Sequence, residues 1–261
     1  MKARYQFSYY TRIVVSISIY AIYFYFVIGN IIKADTSEVK LFNLIFLLLG
    51  LVAFSYEAMR IIFDAATKRL IMDDNPKQTL KLLDTMKKID LFKTYKTSIQ
   101  MMEMLALVDL RRFDELKSYI NELEKQDITN YDVDIVSKYA LMIAEGETDN
   151  KGKSNKAFKK LIALRDQTNR KGQRKKGSLF FDWVVVNGQH KNYEGEYEGA
   201  YNNLKTVEEK NMNKREIVQY LLARMVACKH TKRTDEFKEI KQRLLKIVVN
   251  NQEMKNYIES M

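Results

Sequence analysis

Few residues of this 261-residue chain have types that could do chemistry, and their spacing keeps them apart. A metal or catalytic centre needs several His, Cys, Asp or Glu side chains brought to one point. His190 and His230 stand far apart, and neither has a Cys or a carboxylate cluster at metal-ligand spacing, so both read as loop or cap residues. Asp73-Asp74 and Asp132-x-Asp134 precede helical patterns, where a carboxylate complements the positive helix end. Cys228 lies in the apolar run LLARMVAC and, as the sole cysteine, can form no internal bridge. It reads as a small buried hydrophobe in a chain from a reducing compartment. The phosphate-loop, dinucleotide, zinc-protease and nucleophile-elbow patterns are all absent from the sequence. The expectation is a protein that is not an enzyme, with no metal and no cofactor.

Charge supplies the strongest local signal. Residues 150 to 177 hold 11 basic residues: Lys151, Lys153, Lys156, Lys159, Lys160, Arg165, Arg170, Lys171, Arg174, Lys175 and Lys176. Asp166 is their only acidic neighbour, so this stretch carries +10 of the chain's +11. It reads either as a solvated helix face with a polar loop, or as a surface for anionic lipid headgroups or an acidic protein. Nucleic acid is disfavoured, because single strands need aromatic platforms and only Phe158 lies within the stretch.

The elements that must position these residues begin with two apolar segments. Twenty uncharged residues, 13 to 32, lie between Arg12 and Lys33, matching the roughly 20 that cross a bilayer core. After the polar link KADTSEVK, a second segment runs from residue 41 to 63, with Glu57 and Arg60 placed to snorkel. Basic residues flank the outer ends of both segments, so the hairpin should have both termini in the cytoplasm. Ser16, Tyr20, Tyr23 and Asn30 form one stripe of the first helix, and Asn43, Gly50 and Glu57 one stripe of the second. In an antiparallel hairpin Ser16 faces Glu57, Tyr23 faces Gly50 and Asn30 faces Asn43, a pattern of small and polar residues suited to packing in lipid. Near the ends Asn30 and Asn43 also suit a headgroup belt.

Residues 64 to 261 form the remaining domain. Helical patterns follow one another in pairs, with Pro76 opening PKQTLKLLDTMKKI and no clean strand alternation. LFFDWVVVN, with its β-branched run, is the weakest helix among them. Aligned starts of the second helices set Thr79, Leu116, Ala157, Ala200 and Phe237 in equivalent positions.

Gly188, Gly195, Tyr197, Ala200 and Leu204 in NGQHKNYEGEYEGAYNNL resemble the signature of a tetratricopeptide repeat, and Arg112-Phe113-Asp114-Glu115-Leu116 resembles the same turn. Lys191 stands where that family has an aromatic, and the repeat-closing proline is absent. Joined to the hairpin read from the two apolar segments, the resemblance implies an all-α fold: a transmembrane hairpin followed by a TPR-like α-solenoid of about five helix pairs, in which residues 60 to 74 supply the first helix of the first pair and the stack grows straight out of the membrane. It also implies a partner groove lined by first-helix residues, which matching the repeats gives as Ser98, Tyr139, Asp182, Gln189, Asn192 and Gln219. The expected function is a membrane-anchored scaffold that presents this groove to protein partners. The alternative is an accessory subunit that contacts a transporter, sensor or envelope-synthesis complex through its hairpin.

Overall fold

The computed structural model describes residues 2–90, 92–126, 130–167 and 182–261. Among them the chain is helical throughout, with twelve α-helices and no strand. α1 (Lys2–Lys33) and α2 (Ser37–Ile71) form the hairpin. Thr36 opens α2 by accepting the Val39 N–H at 3.4 Å. Ile13–Lys33 and Ser37–Ile71 are each long and apolar enough to cross a membrane, and only 6% of each apolar window is covered by protein. Val14, Ile17, Phe26, Leu44 and Leu48 therefore face outward, as lipid would require.

The hairpin closes through polar and small residues. Ser16 Oγ donates to Glu57 Oε1 at 3.1 Å, and Arg60 pairs with the same oxygen at 2.9 Å. Tyr23 OH donates to the Phe46 carbonyl at 2.6 Å, and the Tyr20 ring meets Phe54 edge-on at 5.2 Å. Gly50 is buried because the Tyr23 ring lies directly over it, where a Cβ would collide. The last expected pair does not meet. Asn30 is exposed, and Asn43 spends its amide on the Val39 carbonyl of its own helix at 2.8 Å, a partner one turn away that needs no approach between helices.

α2 does not stop where the membrane segment should. Met59, Ala66 and Leu70 on its far end belong to the core of the helical domain that follows, so the boundary expected between residues 63 and 64 falls inside one helix. Five pairs follow in order. α2 packs on α3 (Pro76–Ile89), α4 (Lys96–Asp109) on α5 (Phe113–Lys125), and α6 (Tyr131–Glu147) on α7 (Lys151–Arg165). α8 (Trp183–Glu194) then pairs with α9 (Tyr197–Lys205), and α10 (Lys214–His230) with α11 (Thr234–Ile247), before the short α12 (Gln252–Ser260). α8 forms despite its valines because Asp182 caps it, accepting from Val184 N at 2.7 Å, and because Val185 and Val186 are buried in neighbouring cores.

The turn inside each pair repeats more faithfully than the sequence. Asp74, Arg111, Asp149, Gly195 and Lys232 all take left-handed backbone, with φ of 52, 57, 56, 86 and 59°. The next residue then folds its N–H back to a carbonyl of the helix just ended, as from Arg112 to Leu107 at 3.1 Å and from Arg233 to Cys228 at 3.0 Å. A non-glycine residue there costs about 1–2 kcal/mol, yet glycine occupies one turn of five, which is why the motif is faint in sequence. The fourth residues of the second helices are Thr79, Leu116, Ser154, Ala200 and Phe237. Ser154 thus takes the place expected for Ala157. Like Thr79, which reaches the Ala66 carbonyl, it bonds the preceding helix, at Met142 O (2.9 Å), so a small polar residue permits the close approach. At the fourth pair the small residue is on the first helix: a Cβ on Gly188 would lie 2.6 Å from Leu204 Cδ2.

The hairpin geometry makes a direct prediction. With Cys228→Ala as background, cysteines placed at Ser16 and Glu57 should cross-link within one chain. Gly50→Leu should cut that yield severalfold, and Tyr23→Ala in the same chain should restore it by removing the ring that the leucine strikes; non-reducing gel electrophoresis of the membrane fraction reads all three.

Candidate functional site

The five pairs curl until the last meets the first, and the inner face is sealed by a polar seam. Asp109 at the end of α4 and Arg215 in the first turn of α10 pair at 2.7 and 3.0 Å through two parallel bonds, both side chains over 90% buried. Such a fork fixes position as well as charge. Gln219 Nε2 donates to Asp109 Oδ1 at 3.1 Å, and Gln189 Nε2 donates to Gln219 Oε1 at 3.2 Å. The anionic Asp109 therefore orients both amides in turn. Asn251, the cap of α12, donates to the Asp109 carbonyl at 2.8 Å. Asp74, buried in the turn after α2, faces Asp109 on one side and Lys214 and Arg215 on the other. Burial and then the Asp109 charge push its carboxyl up to about 7, with Lys214 and Arg215 pulling the other way.

Beside the seam lies a cleft of about 320 Å³ between the inner ends of the helices and α12. Glu147, the last residue of α6, is its charged centre. Tyr193 OH donates to Glu147 Oε1 and Tyr257 OH to Oε2, each at 3.2 Å, while Arg111 pairs with Oε2. The Arg111 guanidinium also lies 3.3 Å from the Tyr257 ring centre, which fixes it from above. Burial pushes the Tyr257 hydroxyl up to about 12 and Tyr193 well above its ordinary range, so both act as neutral donors. The floor of the cleft holds Gln189 and Asn192, 5% and 6% exposed. Asn192 Nδ2 donates to the Ala223 carbonyl at 2.7 Å, which turns its Oδ1 the other way. Asn192 Oδ1 and Gln189 Oε1 are both buried without a hydrogen bond, a cost of about 1–3 kcal/mol each that a donor would recover.

Of the six residues expected to line an open groove, Gln189, Asn192 and Gln219 meet here, packed into the seam and floor rather than offered on a surface. Tyr139 is fully enclosed beside Arg215 and Gln189, because the tight curvature brings α10 over it. Asp182 is exposed and committed to capping α8, and Ser98 sits half-buried in the first turn of α4, outside the cleft. Sequence reasoning missed Asp109, Arg215, Arg111, Glu147, Tyr193 and Tyr257. A positive signal existed only for Arg111, which stands in the turn position of the second pair.

Both histidines stack on aromatic rings, His190 on Phe158 at 3.8 Å and His230 on Tyr197 at 4.0 Å. Cys228 is buried, and burial pushes its thiol up to about 11. On α7, Ser154, Ala157 and Leu161 are buried while Lys151, Lys153, Lys156, Lys159 and Lys160 are all exposed, so the helix carries a continuous basic face. Arg170, Lys171, Arg174, Lys175 and Lys176 lie outside the described residues.

Compared with protein-family models, with curated proteins and with solved structures, the chain matches none. The inner face therefore has to be interpreted from its own geometry.

The seam yields two expectations, both read by denaturation of the full chain in detergent. Arg215→Met leaves Asp109 buried without its counter-charge and should cost about 3–5 kcal/mol, whereas Asp109→Leu together with Arg215→Met should cost clearly less. Asp74 acts with the opposite sign to a paired carboxylate. Its native pKa of about 7 exceeds the ordinary 3.8, so between those values the folded chain keeps a proton that the unfolded chain releases. Stability should fall as pH rises from about 4 to 7. Asp74→Asn, which tolerates the same left-handed backbone, should flatten that slope and stabilise the chain at pH 8 by on the order of 2 kcal/mol.

Proposed function

We propose that the chain is a membrane-anchored adaptor, whose TPR-like stack of helix pairs recruits protein partners at the cytoplasmic face of the bilayer. The observation that carries this reading is the continuity of α2: one unbroken helix is lipid-facing at its start and part of the first helix pair at its end. A rigid rod of that kind, at about 1.5 Å per residue, holds the stack at a set height and orientation instead of on a flexible tether. Basic residues at the outer ends of both apolar segments support cytoplasmic termini. Binding rather than turnover is supported by the inner face, where the charged groups are spent on one another: Asp109 on Arg215, and Glu147 on Arg111.

The exposed lysines of α7 support a second contact, with acidic lipid of the same leaflet. Each gains about 1 kcal/mol near such a surface, within a Debye length. The rival reading, an accessory subunit held to a membrane complex through its hairpin, draws on the outward apolar faces of α1 and α2, which lipid alone would also cover.

A fragment beginning near Glu57 keeps Met59, Ala66 and Leu70 and so the first pair intact; one beginning after Met72 would lose half of that pair. Under the adaptor reading the 57–261 fragment should capture the same partner as the full chain in affinity purification with mass spectrometry. Capture by the full chain alone, or retention of the partner after the soluble part is deleted, would replace it with the accessory-subunit reading. The same fragment should bind vesicles containing acidic phospholipid and release them as salt rises. Changing Lys151, Lys153, Lys156, Lys159 and Lys160 to Gln should weaken binding by at least about tenfold, as read by vesicle co-sedimentation.

A further inference from the structure

The inner face, where a partner of a stacked-helix adaptor would lie, is already occupied by the chain's own end. α12 fills it. Met254 and Ile258, 2% and 0% exposed, anchor the helix in the core of the last pairs, and Tyr257 reaches the Arg111–Glu147 pair. The segment just before it is pinned to the opposite end of the stack. Asn250 Nδ2 donates to the Asp73 carbonyl at 2.7 Å, Asn251 Nδ2 to the Asp109 carbonyl at 2.8 Å, and Lys77 pairs with Glu253 at 2.8 Å. Residues 250 to 258 thus run across the inner face from the first pair to the end of α6.

The hold of this helix differs from that of the others. α12 is nine residues long, its backbone lies mainly against α11, and it reaches the inner face through side chains. It is joined to α11 by a short link in which Val249 is 69% exposed. Nor does it fill the space it covers. The cleft of about 320 Å³ remains beneath Met254 and Tyr257, and in its floor Asn192 Oδ1 and Gln189 Oε1 are buried without a donor. A short helix that satisfies the rim and leaves the floor unsatisfied is one that a better-fitting helix can replace.

Building on the adaptor reading, we propose that α12 is a replaceable occupant of the inner face, displaced by an amphipathic helix of a partner protein. That helix would carry apolar anchors and a tyrosine at the spacing of Met254, Tyr257 and Ile258, to engage the Arg111–Glu147 pair. It would add a donor-bearing side chain, of the length of Lys, Arg or Gln, to reach the amide oxygens of the floor. While α12 is seated, its tethered effective concentration, on the order of mM, suppresses binding from outside. Only a segment that makes the floor contacts as well overcomes it, so the occupied groove selects its partner.

The test is exchange in the full chain, held in detergent or lipid nanodiscs, with a fluorescent peptide of residues 249–261 as the probe. The chain carrying Met254→Ala and Ile258→Asp, in which α12 alone is altered, should bind the probe at least about tenfold more tightly than the unaltered chain, by anisotropy. Glu147→Gln added to that chain should remove most of the gain. Equal binding by the altered and unaltered chains, with the helical signal unchanged, would overturn the proposal and make α12 a permanent part of the core. Should the double substitution impair folding, a protease site inserted after Val249 and cut in the folded chain decides the matter. Exchange of the severed helix for the probe supports replacement, and its retention against excess probe refutes it. The exchange assay involves no partner. Successful exchange with failed partner capture therefore removes the adaptor reading and leaves the replaceable helix, while the reverse outcome removes only the latter.

Discussion

The ion pair of Asp109 and Arg215 is the constraint around which the stack of helix pairs is arranged. Two charges more than 90% removed from water are tolerated only when they meet each other with good geometry, which here means two bonds of 2.7 and 3.0 Å. The partners are 106 residues apart, at the end of α4 and the start of α10, so satisfying them requires the stack to close. In an open superhelix each would face water instead, and it is the closure that buries both and pairs them. Gln219, Gln189 and Asn251 then follow from Asp109, each oriented by the acceptor that the previous group presents. A buried pair of this kind is weak evidence for added stability, since the cost of removing both charges from water offsets much of their attraction.

Local backbone geometry supplies the repeat that the ion pair bends. Five left-handed turns, at Asp74, Arg111, Asp149, Gly195 and Lys232, set nearly the same reversal between the two helices of every pair. Two of these turn residues also take part in the inner face. Asp74 places a carboxyl beside Asp109, and Arg111 swings its guanidinium over Tyr257. At Asp74 and Arg111 turn strain and inner-face chemistry are thus carried by the same position, which explains why a residue other than glycine stands at those two.

The hairpin obeys a different rule from the stack. Its apolar side chains face outward, and α1 and α2 meet where a ring covers a glycine, Tyr23 on Gly50, and where polar groups find each other, Ser16 with Glu57, the small and polar contacts that helices use where apolar burial gives no drive to pack. The two regimes share α2. Its apolar, outward-facing part is held by α1 and its end by α3, so one helix joins the hairpin to the first pair.

How much of this was legible in advance depended on range. Composition and periodicity determined the two apolar helices, the helical pairs and the basic face of α7, because hydrophobic burial at a period of 3.6 or a run of 20 is written in neighbouring residues. The antiparallel register of Ser16 with Glu57 and Tyr23 with Gly50 was readable too, since a short turn leaves equal distances on either side. The register of the third pair was not: Ser154 and Ala157 both suit a tight contact, and only the helix start at Lys151 decides between them. Tyr139 looked like a groove residue because a first-helix aromatic in an open stack would be one, and the closure brought about by Asp109 and Arg215 buried it. Glu147, Arg111, Tyr193 and Tyr257 gave no joint signal, being drawn from four helices and turns up to 146 positions apart. Their meeting depends on curvature, and curvature is the sum of packing angles across every pair, a quantity that no local pattern encodes. The sequence by itself determined which helices form and which faces they bury, whereas the tertiary structure decided that the last helix would lie across the inner face of the first three pairs.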